Sequence, residues 1–157
     1  MIPLFGNFNL WLALFLAIFQ LVNSLKKNNN SVIQFNKIAA SSLFFCSFLS
    51  FVSLTYSHIV SDFSLINVFQ NSHTTKPMFY KISGVWGNHE GSMLLWILVL
   101  TIFNYFIFKL YNKTNSKFIS KALETQALII IGFILFTIFT SNPFEKMISV
   151  ENDGLGF

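Results

Sequence analysis

The chain has 157 residues, 54% of them hydrophobic and 10% charged, whereas a soluble domain carries about 25% charged residues. Ten basic and six acidic side chains cannot clothe a chain of this size in water. The net charge of +4 comes from Lys alone, with no Arg, and a phosphate-reading surface would use Arg forks, so most soluble enzymes and nucleic-acid binders are excluded.

The composition is that of an integral membrane protein, read as a single membrane domain over residues 1–157. Residues 1–25 carry no side-chain charge. A hydrocarbon core about 30 Å thick needs roughly 20 helical residues, which predicts a first span over 4–25. Helices are required because hydrocarbon cannot satisfy backbone polar groups. No basic segment precedes this run and no small-x-small site follows it, so it reads as a span and not as a cleavable signal. A loop with Lys26, Lys27 and Lys37 comes next.

The charge-free run 38–61 predicts a second span over 38–59. Its Ser41, Ser42, Ser47, Ser50 and Ser53 suit close helix packing. The lone cysteine, Cys46, excludes an internal disulfide and reads as a small apolar side chain. The long loop 61–90 is electrically neutral, Asp62 and Glu90 balancing Lys76 and Lys81. The third charge-free run, 91–108, is short. Its span is placed at 92–108, with a helix start expected a turn earlier, near Gly87. The loop 109–124 sets Lys109, Lys113, Lys117 and Lys121 against Glu124. A fourth span is predicted at 122–140, stopped by Pro143, which lacks an N–H and clashes with the preceding turn. The tail is acidic, with Lys146 against Glu145, Glu151 and Asp153.

Lys-rich loops stay on the cytoplasmic or matrix side. The expected fold is therefore an all-α integral membrane protein with about four transmembrane helices, both termini outside and one long outer loop. No span carries Asp, Glu, Lys or Arg at mid-depth, which disfavours an ion-coupled transporter.

All three histidines, His58, His73 and His89, fall on the expected outer side. Their spacings match no compact zinc pattern, and no metal site is assigned. The densest constellation is Trp86-Gly87-Asn88-His89-Glu90-Gly91-Ser92 followed by Met93 and Trp96. On a helix starting near Gly87, Trp86, His89, Met93 and Trp96 share one face. Gly87 and Gly91 would let a flat partner approach the backbone, and Glu90 would suit the positive end of the helix dipole. Indoles can stack on a porphyrin while imidazole or thioether ligates iron. Trp86, Gly87, His89, Glu90 and Trp96 are thus the candidate cofactor-binding residues. The competing reading is ordinary packing with Trp as an interfacial anchor. Asp62, Asn71, Ser72, His73, Pro77, Tyr80 and Lys81 are candidates for structuring the outer loop or holding a partner. No catalytic residue is assigned.

The same residues carry a resemblance. The run Ser61-Asp62-Phe63-Ser64, Asn71-Ser72-His73, Lys76-Pro77, Tyr80-Lys81 and Trp86-Gly87-Asn88-His89-Glu90-Gly91-Ser92 resembles the N-terminal part of the CcmF family. That family is the haem lyase component of the multi-subunit (System I) cytochrome c maturation pathway. Gly6-Asn7-Phe8, Ser141-Asn142-Pro143-Phe144-Glu145 and Asp153-Gly154 are also similar to it. WGxHEGS alone would fit the wider CcmF/CcmC/CcsA haem-handling group, and the outer-loop match narrows it. The resemblance implies haem delivery and covalent attachment to apocytochrome c at the outer membrane face. Haem would be shared with, or held mainly by, a partner chain. Implied partners are the remaining CcmF portion with its tryptophan-rich segment, a haem chaperone, apocytochrome c and membrane lipid, with no nucleic acid. That segment and its flanking histidines are absent here, so the chain is expected to be an N-terminal fragment or split-gene product, part of a lyase assembly and not a catalyst alone. Abundant Phe, Asn and Lys point to A/T-rich coding, which favours a mitochondrial inner membrane over a bacterial one. The alternative function is a structural membrane subunit of a respiratory complex.

Overall fold

The computed structural model describes residues 1–25, 30–109, 116–147 and 154–155. The topology readings placed on Lys26, Lys27, Lys113, Glu151 and Asp153 lie outside the described residues. Among the described residues six helices follow one another: α1 (Ile2–Ser24), α2 (Asn30–Ile59), α3 (Ile66–Asn71), α4 (Met78–Gly84), α5 (His89–Lys109) and α6 (Ser116–Thr140). Among the described residues, α1, α2, α5 and α6 are long and apolar enough to cross a membrane. The all-α membrane architecture expected from the sequence is therefore present.

The long helices close into a four-membered ring. Helix α1 packs on α2 and α6, and α5 closes the ring by packing on the same two helices. The core is aliphatic, with Leu10, Leu43, Leu54, Leu94, Ile97, Ile130 and Ile134 fully enclosed. Large side chains also point outward, among them Phe15, Phe45, Phe103 and Phe139. A helix apolar on all sides is what lipid solvation demands.

Helices α2, α5 and α6 start before their charge-free runs. The second helix starts at Asn30 instead of 38, and the last at Ser116 instead of 122. At 1.5 Å per residue, the 30-residue α2 is roughly 45 Å long. It outruns the hydrocarbon, so Lys37 sits on the helix and not in a loop. The third long helix starts at His89, two residues past Gly87.

Small residues let α1 and α2 approach closely. Ser47, Ser50, Ser53 and Ser57 are all buried. Ser50 Oγ donates to Gly6 O at 3.0 Å, and Ser53 Oγ donates to Ile2 O at 2.7 Å. Ser41 instead donates to Lys37 O of its own helix. Across the bundle, Gln20 and Asn104 exchange two amide hydrogen bonds, both 2.9 Å, with both residues fully buried.

One end of the ring gathers distant segments. Gly6 lies where an added Cβ would meet the Phe144 ring at 2.5 Å. After α6 the chain turns back onto the 61–90 loop. Leu65 bridges Lys146, Ile66 N–H donates to Glu145 O, and Met147 N–H donates to Ser64 O. Leu155 N–H donates to Phe69 O at 2.7 Å.

Candidate functional site

The 61–90 loop is folded on this end by its own polar side chains. Asp62 Oδ1 accepts from Ser64 N–H and Ser64 Oγ, forming a short Asx turn. Ser61 next to it has φ 54°, in the left-handed region, and its Oγ accepts from Lys81 Nζ at 2.6 Å. Asn71 Nδ2 donates to Asn67 O, and Asn71 O accepts from Lys76 Nζ at 3.1 Å. Ser72 is fully buried, its N–H donating to Val68 O. His73 Nδ1 pairs with Thr75 Oγ1 at 2.9 Å. Pro77, with φ −58°, is the N-cap of α4. Tyr80 is exposed on that short helix.

The motif 86–92 divides between two directions. Asn88, Glu90 and Gly91 turn inward onto a polar cluster. Asn88 Oδ1 accepts from Gly91 N–H at 2.7 Å, while Asn88 Nδ2 donates to Gly84 O at 2.8 Å. These backbone partners fix which end of the Asn88 amide is oxygen. Asn67 Nδ2 then donates to Asn88 Oδ1 at 2.8 Å and to Glu90 Oε2 at 3.1 Å. Asn67 Oδ1 must therefore accept, and His58 Nε2, 2.9 Å away, donates to it. That leaves His58 Nδ1 as a buried acceptor with no hydrogen-bond partner.

Gly91 corrects the expectation of an open face for a flat ligand. It is buried, and an added Cβ would collide with the Val85 carbonyl. The glycine is there for backbone approach between the 84–88 turn and α5. Glu90 is likewise held by Asn67 and does not stand free at the outer face.

Trp86, Gly87, His89 and Trp96 are exposed. Trp86 precedes the helix, so the shared helical face consists of His89, Met93 and Trp96. His89 Nδ1 is hydrogen-bonded to Ser141 Oγ at 2.9 Å, and its ring meets Phe136 edge-on at 6.2 Å. One ring nitrogen is thereby anchored and the imidazole orientation fixed, an arrangement that suits ligation through Nε2. Gly87 borders a cavity on the α3–α4 side. The three histidines do not converge. His58 is enclosed, His73 shapes its turn and His89 is on the outer face of α5.

Sequence reasoning did not single out Asn67 or assign Ser141 a part. Asn67 is one amide among several in a polar loop, and its partners are 9 to 23 residues away. Nothing local marks it.

Comparisons with known proteins show what this chain is similar to. Residues 86–153 match the family model described as "Cytochrome C assembly protein". The chain is 39% identical over 152 residues to the cytochrome c-type biogenesis protein CycK of Rhizobium meliloti, covering 95% of this chain and 22% of the relative. It is 41% identical over 145 residues to the cytochrome c-type biogenesis protein ccl1 of Rhodobacter capsulatus (90% and 22%). With the CcmF protein of Haemophilus influenzae identity is 37% over 150 residues (93% and 23%). A solved structure titled "Cytochrome c Heme Lyase CcmF" superposes with a TM-score of 0.85 at 24% identity, over 92% of this chain and 25% of that one. This last likeness bears on the fold. The chain is a partial CcmF-like sequence, as its motifs implied, and it spans under a quarter of the length of these curated relatives. They are bacterial proteins and lend no support to the mitochondrial expectation.

Proposed function

We propose that this chain works in cytochrome c maturation as one piece of a haem lyase assembly. The observation that carries this is 39–41% identity, over 90–95% of the chain, to proteins named for cytochrome c-type biogenesis. In this reading haem is cargo, and covalent attachment to apocytochrome c takes place at the end of the bundle that gathers the 61–90 loop and the 141–147 turn. That end faces outward, consistent with Lys37, Lys109 and Lys121 near the opposite end. The membrane is a bacterial inner membrane, in keeping with the bacterial relatives.

The chain's own residues divide the work as follows. His89 presents an exposed imidazole whose Nδ1 is tethered by Ser141, which would suit it to ligate haem iron. Trp86 and Trp96 flank it with exposed indoles that fit the porphyrin edge or the apocytochrome. Asn67, Asn88 and Glu90 hold the start of α5 in register beneath that face. The tryptophan-rich segment comes from the remaining CcmF portion, which with a haem chaperone and apocytochrome c completes the assembly.

The test is complementation of a null strain, read by haem staining of c-type cytochromes. His89→Ala should lower holocytochrome c by at least about tenfold, the scale of losing an oriented ligand, with the chain still in the membrane. Deletion should remove all c-type cytochromes of the pathway together. Loss of one respiratory complex with haem attachment intact would refute the proposal and favour a structural subunit.

A further inference from the structure

A cavity of about 450 Å³ opens between α3 and α4, away from the His89 face. Its lining includes Asn71, Lys76, Tyr80 and Gly84, and no acidic side chain. Lys76 Nζ uses one N–H on Asn71 O, at 3.1 Å; an ammonium has three donors. One wall of the cavity therefore seeks an anion.

The floor seeks the opposite. A Cβ placed on Gly84 would sit 3.6 Å from Asn71 O and 4.0 Å from His58 Nδ1. Gly84 and Asn71 line the cavity, and with no side chain on Gly84 two acceptors, Asn71 O and His58 Nδ1, lie close to its open side. One of them, His58 Nδ1, is buried without a hydrogen-bond partner. A group placed there would have to be a donor.

Depth and surroundings indicate where such a ligand comes from. His58 is in the last turn of α2, whose apolar span ends at Ile59. The cavity therefore lies level with the headgroups. Beside it, Met78 and Phe79 of α4 are 60% and 87% exposed, an apolar edge next to a polar cavity.

We propose that this cavity binds a phospholipid headgroup whose phosphate carries a terminal hydrogen-bond donor, ethanolamine or glycerol. Lys76 and the Tyr80 hydroxyl hold the phosphate. The ammonium or hydroxyl at the end of the headgroup donates to Asn71 O and His58 Nδ1 over Gly84. Gly87 borders both this cavity and the His89 motif, but the contacts proposed here, from Lys76, Tyr80, Asn71 O and His58 Nδ1, are not among those the haem-lyase reading uses.

The full chain, purified in detergent and stripped of lipid, would be titrated with dioleoyl phosphatidylethanolamine, phosphatidylglycerol and phosphatidylcholine. Bound lipid would be counted by native mass spectrometry. The two donor-bearing lipids should be retained about tenfold better than phosphatidylcholine, whose quaternary ammonium cannot donate. Lys76→Gln should lower retention of all three. Gly84→Ala, whose methyl fits without a clash, should abolish the preference while circular dichroism stays unchanged. Lys121→Gln, far from the cavity, should change nothing. Equal retention of all three lipids, retention unaffected by Lys76→Gln, or a preference unaffected by Gly84→Ala would overturn the proposal. Displacement of the lipids by inorganic phosphate, with thermal stabilisation by phosphate alone, would overturn the lipid source and make this a free-phosphate site.

Discussion

The Gln20–Asn104 pair offers the sharpest energetic test of the bundle. It joins α1 to α5 in the apolar interior, with both residues fully buried and two reciprocal bonds of 2.9 Å. Gln20→Leu removes both bonds at once and strands the Asn104 amide. A buried amide left unpaired costs about 1–3 kcal/mol. Interhelical hydrogen bonds in membranes contribute about 0.6 kcal/mol on average and about 1.7 at most. With two bonds lost, the expectation for Gln20→Leu is a destabilisation of about 2 kcal/mol, up to a thirtyfold shift in the unfolding equilibrium. Asn104→Leu should cost a similar amount for the same reason. The double variant should be less destabilised than the two singles together, because no amide is then left without a partner. A double-mutant cycle measured by reversible unfolding in mixed micelles should give a coupling of about 1–2 kcal/mol. Additive single effects would refute the reasoning, because the pair would then hold nothing that each residue does not hold alone.

Other substitutions read out the close approaches. Gly91→Ala should leave little folded chain, as its methyl meets the Val85 carbonyl, a backbone atom with nowhere to go; thermal denaturation should place the loss above about 3 kcal/mol. Gly132→Ala is the matched control. Nothing lies within 4 Å of its Cβ, so helix propensity should stabilise it by up to about 1 kcal/mol. Gly6→Ala would press on the Phe144 ring and Ser53 Oγ and should cost about 1–3 kcal/mol in the same assay. Asn67→Leu should lower the amount of chain in the membrane, while Trp96→Ala should lower holocytochrome c per chain; immunoblotting alongside haem staining separates the two.

The four long helices were legible because lipid imposes one simple rule, and charge-free runs of 18 to 25 residues satisfy it. That rule finds the hydrocarbon, not the helix. Once a helix leaves the apolar layer it can carry Lys37 or Lys121 on its surface and continue, which is why α2 and α6 begin well before their charge-free runs. Helices α3 and α4 escaped notice for a different reason. At six and seven residues they are too short to show a period and too short to hold alone. Both exist through tertiary contacts. Leu65, just ahead of α3, bridges Lys146 beyond α6, and the end of α4 is held by Asn88 through Gly84 O.

The candidate site was legible as a set of residues but not as an arrangement. The motif around His89 announces itself by density of Trp, Gly, His and Glu, yet sequence spacing cannot say which side of the turn each residue serves. The deciding facts are hydrogen bonds to partners far along the chain. Asn67 captures Asn88 and Glu90 from across the loop, and Ser141 captures His89 from the end of α6. The result is a seven-residue motif with two jobs. Asn88, Glu90 and Gly91 lock the start of α5 to the loop and to the end of α2. Trp86, His89 and Trp96 are thereby presented outward on a rigid base. An exposed imidazole aimed by packed backbone and a hydroxyl loses less entropy on meeting a ligand than one on a free loop. This accounts for an exposed histidine and tryptophan face whose most constrained neighbours never touch its surface.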